Sequence, residues 1–395
     1  MTNLSSIQAS EYEAWSLNEW LDHLSALHPK NIEMGLERVA TVFKQLNISF
    51  SKQTVVTVAG TNGKGTTCAF LEQACLAAGK KVGAVERARG DIPLTYFEFG
   101  TLAGLKLVHD ANVDIALLEV GLGGRLDAVN VVSPNIAVIT SIDLDHQDWL
   151  GDTKELVAAE KAGIMRDNIP VVLGEPVKYQ ALLDAVSKHS ALAFWQRVDF
   201  DYQLADDYMV WSNHQLSYAQ LPIPHIPAQN VSTGLQVIQL LKLDLNEADL
   251  AKVITDTRLP GRCQYIGDSP AIMVDVAHNP HATGYLLSQI RKLDYDRLYL
   301  VVGMLKDKDI RSSLADFSNL NGHWMLGGLD VPRGATAADI KTVLGEQQKV
   351  LEFSTVCQAF EKAKALAHEQ DLIVVFGSFF TVSNILKLSN KGNNE

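Results

Sequence analysis

The stretch Val55-Val-Thr-Val-Ala-Gly60-Thr-Asn-Gly63-Lys64-Gly65-Thr66-Thr67 constrains the fold more than any other. A β-branched run ends in a glycine-rich turn that holds one lysine and two threonines. An apolar helical pattern follows at once through Phe70, Leu71, Ala74, Cys75 and Ala78. Strand, loop and helix in that order build a parallel α/β layer and set a helix N-terminus at the loop. Glycines let backbone N–H groups curl round a polyphosphate, and Lys64 adds a full positive charge. The common pattern of such loops has Gly where Val58 stands and Ser or Thr where Gly65 stands. Despite those two differences, the order of elements favours ATP binding over a plain glycine-rich turn.

A chain of 395 residues exceeds what one core supports and suits two domains. Its net charge of −12 argues against nucleic acid as the main partner. Anionic ligands must then be met by local positive groups. Cys68, Cys75, Cys263 and Cys357 show no metal-type spacing, and reduced thiols suit the cytoplasm. No signal pattern and no apolar run of membrane-spanning length is evident.

Ser16-x-x-Glu19 spells a capping box ahead of a helix with Leu17, Trp20, Leu21 and Leu24 on one face. Leu36, Val39, Phe43 and Leu46 mark a second helix. Strands are expected at Val55–Ala59, Ile115–Val120, Ile136–Ile142 and Val171–Leu173. Helices are expected at Thr66–Ala78, Thr95–His109 and Thr153–Met165. Near-continuous apolar strands between helices predict a parallel sheet covered on both faces. Its C-terminal edge, where such sheets bind ligands, would carry Gly60, Glu119 and Ser141. The pattern weakens from Pro176 to Pro227, with a small antiparallel sheet expected within Phe194–Tyr218, and Asn230–Leu241 returns to helix. A second α/β pattern has strands Ile272–Val276, Leu298–Val302, Trp324–Leu326 and Leu372–Phe376. Between them lie helices near His281–Leu293, Ala337–Leu344 and Val356–Ala367. Pro260-Gly261 and Pro270 punctuate the boundary, giving domains 1–265 and 266–395. The polar tail Ser389–Glu395 is expected to fray.

Glu119 ends an apolar strand beside the phosphate loop, a position suited to holding Mg²⁺ against phosphate oxygens. The polar run Ser141-Ile-Asp143-Leu-Asp145-His146 follows the next strand, so His146 lies at the same edge. Lys161 ends a helical pattern, where a lysine ordinarily complements the helix dipole. Asp275, His278 and Asn279 run off a strand of the second domain. They read either as ligand contacts or as a capped turn, with Asn279 before Pro280 as N-cap. Arg262 sets a guanidinium within reach of phosphates.

Taken in order, Gly60–Thr66, Leu118-Glu-Val-Gly-Leu-Gly-Gly-Arg-Leu-Asp127, Asp145-His146, Glu160-Lys-Ala-Gly163, Pro260-Gly-Arg262 and Asp275-Val-Ala-His-Asn-Pro280 resemble the folylpolyglutamate synthases of the Mur-ligase superfamily. The resemblance runs from about Trp15 to Leu386. It is nearest to the bacterial enzymes that also make dihydrofolate, a likeness strengthened by Asp91–Gly100 and Asp145–Leu150. It implies a P-loop-type, mostly parallel sheet domain followed by a smaller Rossmann-like α/β domain. It implies ATP- and Mg²⁺-dependent ligation of L-glutamate to dihydropteroate and to reduced folates, through an acyl phosphate, in a monomer. Domain closure would bring the glutamate to the acyl phosphate. By the same resemblance, Gly60, Thr61, Asn62, Gly63, Lys64, Gly65, Thr66 and Thr67 hold ATP phosphates, with Lys64 on the transferred group. Asn230, Arg262, Asp275 and His278 contact the nucleotide. Glu119, His146 and a carbamylated Lys161 place the metal, and Thr95, Phe97 and Asp127 surround the pterin end of the substrate.

The chain departs from the family in two places. The family carries a Ser-Pro-His segment and a long loop where this chain runs from Gly83 to Arg87. A disordered loop is the expected reason for that step. Phe380 stands where bacterial relatives have His, leaving Ser378 as the expected glutamate contact. The rival readings are a folylpolyglutamate synthase without the first activity, a cell-wall or cyanophycin-type ligase, and a silent nucleotide- or folate-binding protein.

Overall fold

Alternation of apolar strands and amphipathic helices is carried through in a computed structural model. It describes Ser16, Glu19, Leu24 and residues 33–78, 94–344 and 349–392. The chain divides into two units, Met1–Thr257 and Arg258–Glu395. The division falls at 257/258 where the sequence suggested 265/266. Gly261 is tied into the second unit, because its carbonyl accepts from Val276 N at 2.9 Å.

In the first unit the expected capping box is formed, with Ser16 N donating to Glu19 Oε2 at 2.7 Å. Leu17, Trp20 and Leu21 lie outside the described residues. Helix α1 (Glu37–Gln45) buries Val39 and Val42. Then come β1 (Thr54–Ala59), α2 (Lys64–Ala77), α3 (Tyr96–Asp110), β2 (Ile115–Glu119) and β3 (Ile136–Ile139). They are followed by α4 (Gln147–Leu150), α5 (Lys154–Ala162), β4 (Pro170–Leu173), α6 (Gln180–Lys188) and β5 (Leu192–Trp195). The sheet runs β2-β1-β3-β4-β5 and every pair is parallel. Strand order reverses at β1, so the crevice beyond the ends of β1 and β3 is where this topology seats a ligand. Val55, Ala59, Ala137 and Ile139 pack in the core under that edge.

Some expected bounds shift for local reasons. β3 stops at Ile139, because Thr140 turns its hydroxyl toward the phosphate loop. α5 stops at Ala162, with Gly163 as its C-cap. The weak stretch after Pro176 holds α6 and β5. The latter is an edge strand whose Leu192 is 58% exposed, so no buried run marks it. The small sheet β6 (Phe200–Leu204), β7 (Tyr208–Asn213) and β8 (Ser217–Pro222) is antiparallel, as expected. Helices α7 (Ala228–Leu241) and α8 (Glu247–Asp256) close the unit.

The second unit contains β9 (Gln264–Asp268), β10 (Ala271–Asp275), α9 (Pro280–Ile290), β11 (Leu298–Val302), α10 (Ile310–Leu314) and β12 (Gly322–Gly327). It continues with α11 (Ala337–Leu344), β13 (Lys349–Phe353), α12 (Val356–Leu366), β14 (Leu372–Phe376) and α13 (Phe379–Gly392). The sheet order is β13-β12-β11-β14-β10-β9. Only β9 runs antiparallel, so the sheet is mixed. The tail expected to fray from Ser389 is helical through Gly392. Among the described residues no helix is long and apolar enough to cross a membrane.

Candidate active site

The phosphate loop is stapled to the segment after β3. Thr61 Oγ1 accepts from Asp143 N at 2.9 Å and donates to Asp143 O at 2.8 Å. Thr61 N donates to Ser141 O at 2.7 Å. Thr140 Oγ1 and Ser141 Oγ both donate to Asn62 O, at 2.7 and 3.0 Å. The contacts fix the loop before any ligand arrives, as an anion cradle requires. Gly63 takes φ +83 as N-cap of α2, a left-handed conformation that suits glycine. A Cβ there would lie 2.5 Å from Asn230 Oδ1, so α7 delivers Asn230 to the loop. Lys64 Nζ donates to Gly60 O at 2.9 Å and Thr61 O at 3.3 Å, folded over its own loop. Thr67 is fully buried.

The expected metal-holding residues meet the same edge. A Cβ on Gly65 would lie 3.4 Å from Glu119 Oε2. His146 holds a left-handed φ of 51 as N-cap of α4, uncommon for a non-glycine residue. Lys161 is 2% exposed. Burial, and then the Lys64 cation, lower its pKa to about 7, against the pull of Asp145 and Glu160. The turn Gly123–Arg125 packs on the end of α5. Arg125 N donates to Glu160 O at 2.8 Å, and Arg125 pairs with the Glu160 carboxylate at 2.7 Å. Among the described residues no three or more His, Cys, Asp or Glu side chains group as a metal site.

Beside this edge lies a cavity of about 260 Å³ lined by Thr95, Phe97 and Asp127, with His146 in its wall. Phe97 is 45% exposed and offers an aromatic face. Asp127 is buried. Burial raises its pKa, while N–H groups of Leu122 and Val129 donate to its two oxygens and oppose the rise. The sequence reading missed Glu33 and Glu98, which also line this cavity. Thr95-x-x-Glu98 spells a capping box, which the structure forms at the start of α3.

In the second unit, Arg262, Asp275 and His278 gather at the end of β10. Asp275 is buried and accepts from Cys263 N at 2.8 Å and Ala277 N at 2.7 Å, bracing the turn that carries Arg262. The Arg262 guanidinium lies 5.6 Å over the Phe379 ring, and His278 lies 6.2 Å from that ring. Asn279 caps α9 by accepting from Ala282 N, the capped-turn reading of that motif. Ser378 is buried, its hydroxyl accepting from Thr381 N at 3.0 Å. Phe380 is 44% exposed.

Residues 58–191 match the Mur ligase middle domain, and residues 261–379 match the Mur ligase glutamate ligase domain. The dihydrofolate synthase/folylpolyglutamate synthase of Escherichia coli (strain K12) is 39% identical, covering 97% of each chain. That alignment spans 414 positions, more than the chain's 395 residues, so the relative carries segments that this chain lacks. Gly83–Glu86 lie outside the described residues. The full sequence is itself continuous there, which corrects the expectation of a loop hidden by disorder. The structure of E. coli FolC in complex with DHPP and ADP superposes with a TM-score of 0.92 at 39% identity, covering 96% of this chain and 99% of that one. A bifunctional folylpolyglutamate synthase/dihydrofolate synthase with Mn, AMPPNP and L-glutamate bound gives 0.87 at 37% identity, covering 95% and 98%. The chain belongs to the Mur ligase family, in its dihydrofolate synthase/folylpolyglutamate synthase branch.

Proposed function

We propose that the chain is an ATP-dependent ligase that joins L-glutamate to dihydropteroate and then to reduced folates. The observation that carries the reading is the meeting of two sites in one unit. A preformed phosphate loop with Lys64 lies at the sheet edge, and His146 of that edge also lines the Phe97/Asp127 cavity. A carboxylate is a poor acyl donor, and phosphorylation by ATP makes it a good one. The loop N–H groups and Lys64 neutralise charge on the transferred phosphoryl group. The glutamate amine then attacks the acyl carbon, and phosphate leaves. Arg262, Asp275 and His278 stand as proposed nucleotide contacts in the second unit, and Asn230 as one in the first. Ser378, whose hydroxyl accepts from Thr381 N, stands as the proposed glutamate contact.

Mg²⁺ characteristically takes one or two carboxylates and fills its other positions with phosphate oxygens and water. Glu119 beside the loop fits that donor set, and His146 is proposed as a further, nitrogen ligand. The bound metal would supply charge neutralisation at the phosphate oxygens. Lys161 is proposed to be carbamylated. A buried amine with a pKa of about 7 is substantially neutral near pH 7, and a neutral amine adds to carbon dioxide with loss of a proton. The substrates are small molecules, the assembly is proposed to be a monomer, and the free thiols suit the cytoplasm.

The test is ADP release with Mg²⁺, dihydropteroate and L-glutamate, omitting each in turn. Release that needs all three is the expected result, and Lys64→Ala should abolish it with the fold intact. A tetrahydrofolate offered in place of dihydropteroate separates the bifunctional enzyme from a synthase with one activity. ATP binding without glutamate-dependent release would leave a silent binding protein.

A further inference from the structure

An ion-paired relay that lies outside the sequence motifs braces the cavity. Arg38, on the first turn of α1, donates from Nη2 to Glu98 Oε1 at 2.8 Å and to the Glu33 carbonyl at 3.2 Å. Its Nη1 lies 3.3 Å from Glu33 Oε1. Glu98 is only 3% exposed. Its other oxygen accepts from Thr95 N at 2.7 Å, and Thr95 Oγ1 accepts from Glu98 N at 3.2 Å. Glu33, Thr95 and Glu98 line the cavity, while Arg38 stands behind them.

We propose that Arg38 is a positioning residue for the pterin end of the substrate, acting through Glu98 and Glu33. The proposal rests on the reading of the cavity as the pterin site. Burying a carboxylate is costly unless it is paired and hydrogen-bonded. Arg38 supplies the pair, so Glu98 remains an acceptor and completes the capping box. That box takes one of the two lone pairs of the Thr95 hydroxyl and fixes its rotamer, leaving the hydroxyl proton and one lone pair for a ligand. The second arm of Arg38 holds the Glu33 backbone and carboxylate at the cavity wall. Without Arg38 the buried Glu98 carboxylate loses its ion pair and must swing out, and the rotamer of Thr95 is released. The contacts of Arg38 run to Glu98 and Glu33, so the damage falls on the pterin end.

The experiment compares Arg38→Met, Arg38→Lys and Arg38→Met/Glu98→Gln by steady-state kinetics. Dihydropteroate is varied at saturating ATP and L-glutamate, and ATP is then varied in turn. Arg38→Met should raise KM for dihydropteroate by about 10- to 100-fold, the worth of a charge-assisted hydrogen bond. KM for ATP and kcat should stay within about twofold. Lysine should recover part of the loss. Glu98→Gln on the methionine background should recover most of it, because Gln keeps the capping box without a buried charge. An unchanged KM for dihydropteroate in Arg38→Met overturns the proposal. So does a loss shared by kcat and both KM values with no recovery by Glu98→Gln. If Arg38→Met does not fold, Arg38→Lys and the double variant carry the same comparison. Phe97→Ala and Asp127→Asn separate the two levels. If they also leave KM for dihydropteroate unchanged, the pterin-site reading falls. If they raise it while Arg38→Met does not, only the role of Arg38 falls.

Discussion

Gly60→Ala tests whether the phosphate loop is held by the segment after β3. A Cβ at Gly60 would lie 1.8 Å from Thr140 Oγ1, a clash that no rotamer of alanine can relieve. Both partners sit at the ends of paired central strands, so the Thr140 side chain must turn away. It would then lose its 2.7 Å bond to Asn62 O and its 3.2 Å contact with Ala59 O. Overpacking costs about 1–3 kcal/mol, and the lost hydrogen bond adds about 0.5–1.5 kcal/mol. The single variant should therefore lose about 2–4 kcal/mol. Thr140→Ala should lose about 1–2 kcal/mol through the bond and a small void. In the double variant the clashing oxygen is gone, and the remaining contacts of the Gly60 Cβ are 3.2 Å to Asn62 O and 3.2 Å to the retained Cβ of residue 140. Its stability should lie within about 1 kcal/mol of Thr140→Ala, a coupling of at least about 1 kcal/mol. Urea unfolding of the full chain measures the cycle, and affinity for a non-hydrolysable ATP analogue should follow the same order. Single costs that simply add would show that Gly60 and Thr140 do not meet as described.

Gly121→Ala should push the Phe97 ring from its place, since the new Cβ would lie 2.3 Å from Phe97 Cζ. The half-exposed ring can move, so KM for dihydropteroate should rise with little change in unfolding temperature, and an unchanged KM would refute the placement. Gly63→Ala meets a left-handed φ of +83 and the Asn230 amide at once. It should cost about 1 kcal/mol in strain and raise KM for ATP more than KM for L-glutamate. Lys161 gives a pH signature in bicarbonate-free, metal-free buffer. Its folded pKa of about 7 lies below its ordinary 10.5, so between those values only the unfolded chain holds the proton. Its stability contribution therefore rises across that window, and the full penalty applies below it. Lys161→Met should be more stable than the parent near pH 6, with the gap closing toward pH 10. A gap independent of pH, followed by urea unfolding, would contradict the buried amine.

The sequence alone determined the strand–loop–helix at Val55–Ala78 and the parallel pairing of the buried strands, and it offered the capped turn at Asn279 as one of two readings. Each of these rests on local chemistry: apolar runs, a glycine turn, a side chain capping its own helix. It also placed Gly60, Glu119 and His146 at one sheet edge, since strand ends follow from strand pattern. The edge strands β5 and β13 were missed because the apolar run Leu192–Trp195 is only 4 residues long and Lys349–Phe353 is interrupted by Glu352 and half-exposed. Only tertiary structure decided that Thr140 and Ser141 lock the phosphate loop, because that contact joins residues about eighty positions apart. The same holds for Arg38 and Glu98, sixty residues apart, and for the burial that encloses Thr67 and lowers the Lys161 pKa. Burial and long-range pairing depend on which surfaces meet, and no spacing within one segment encodes that.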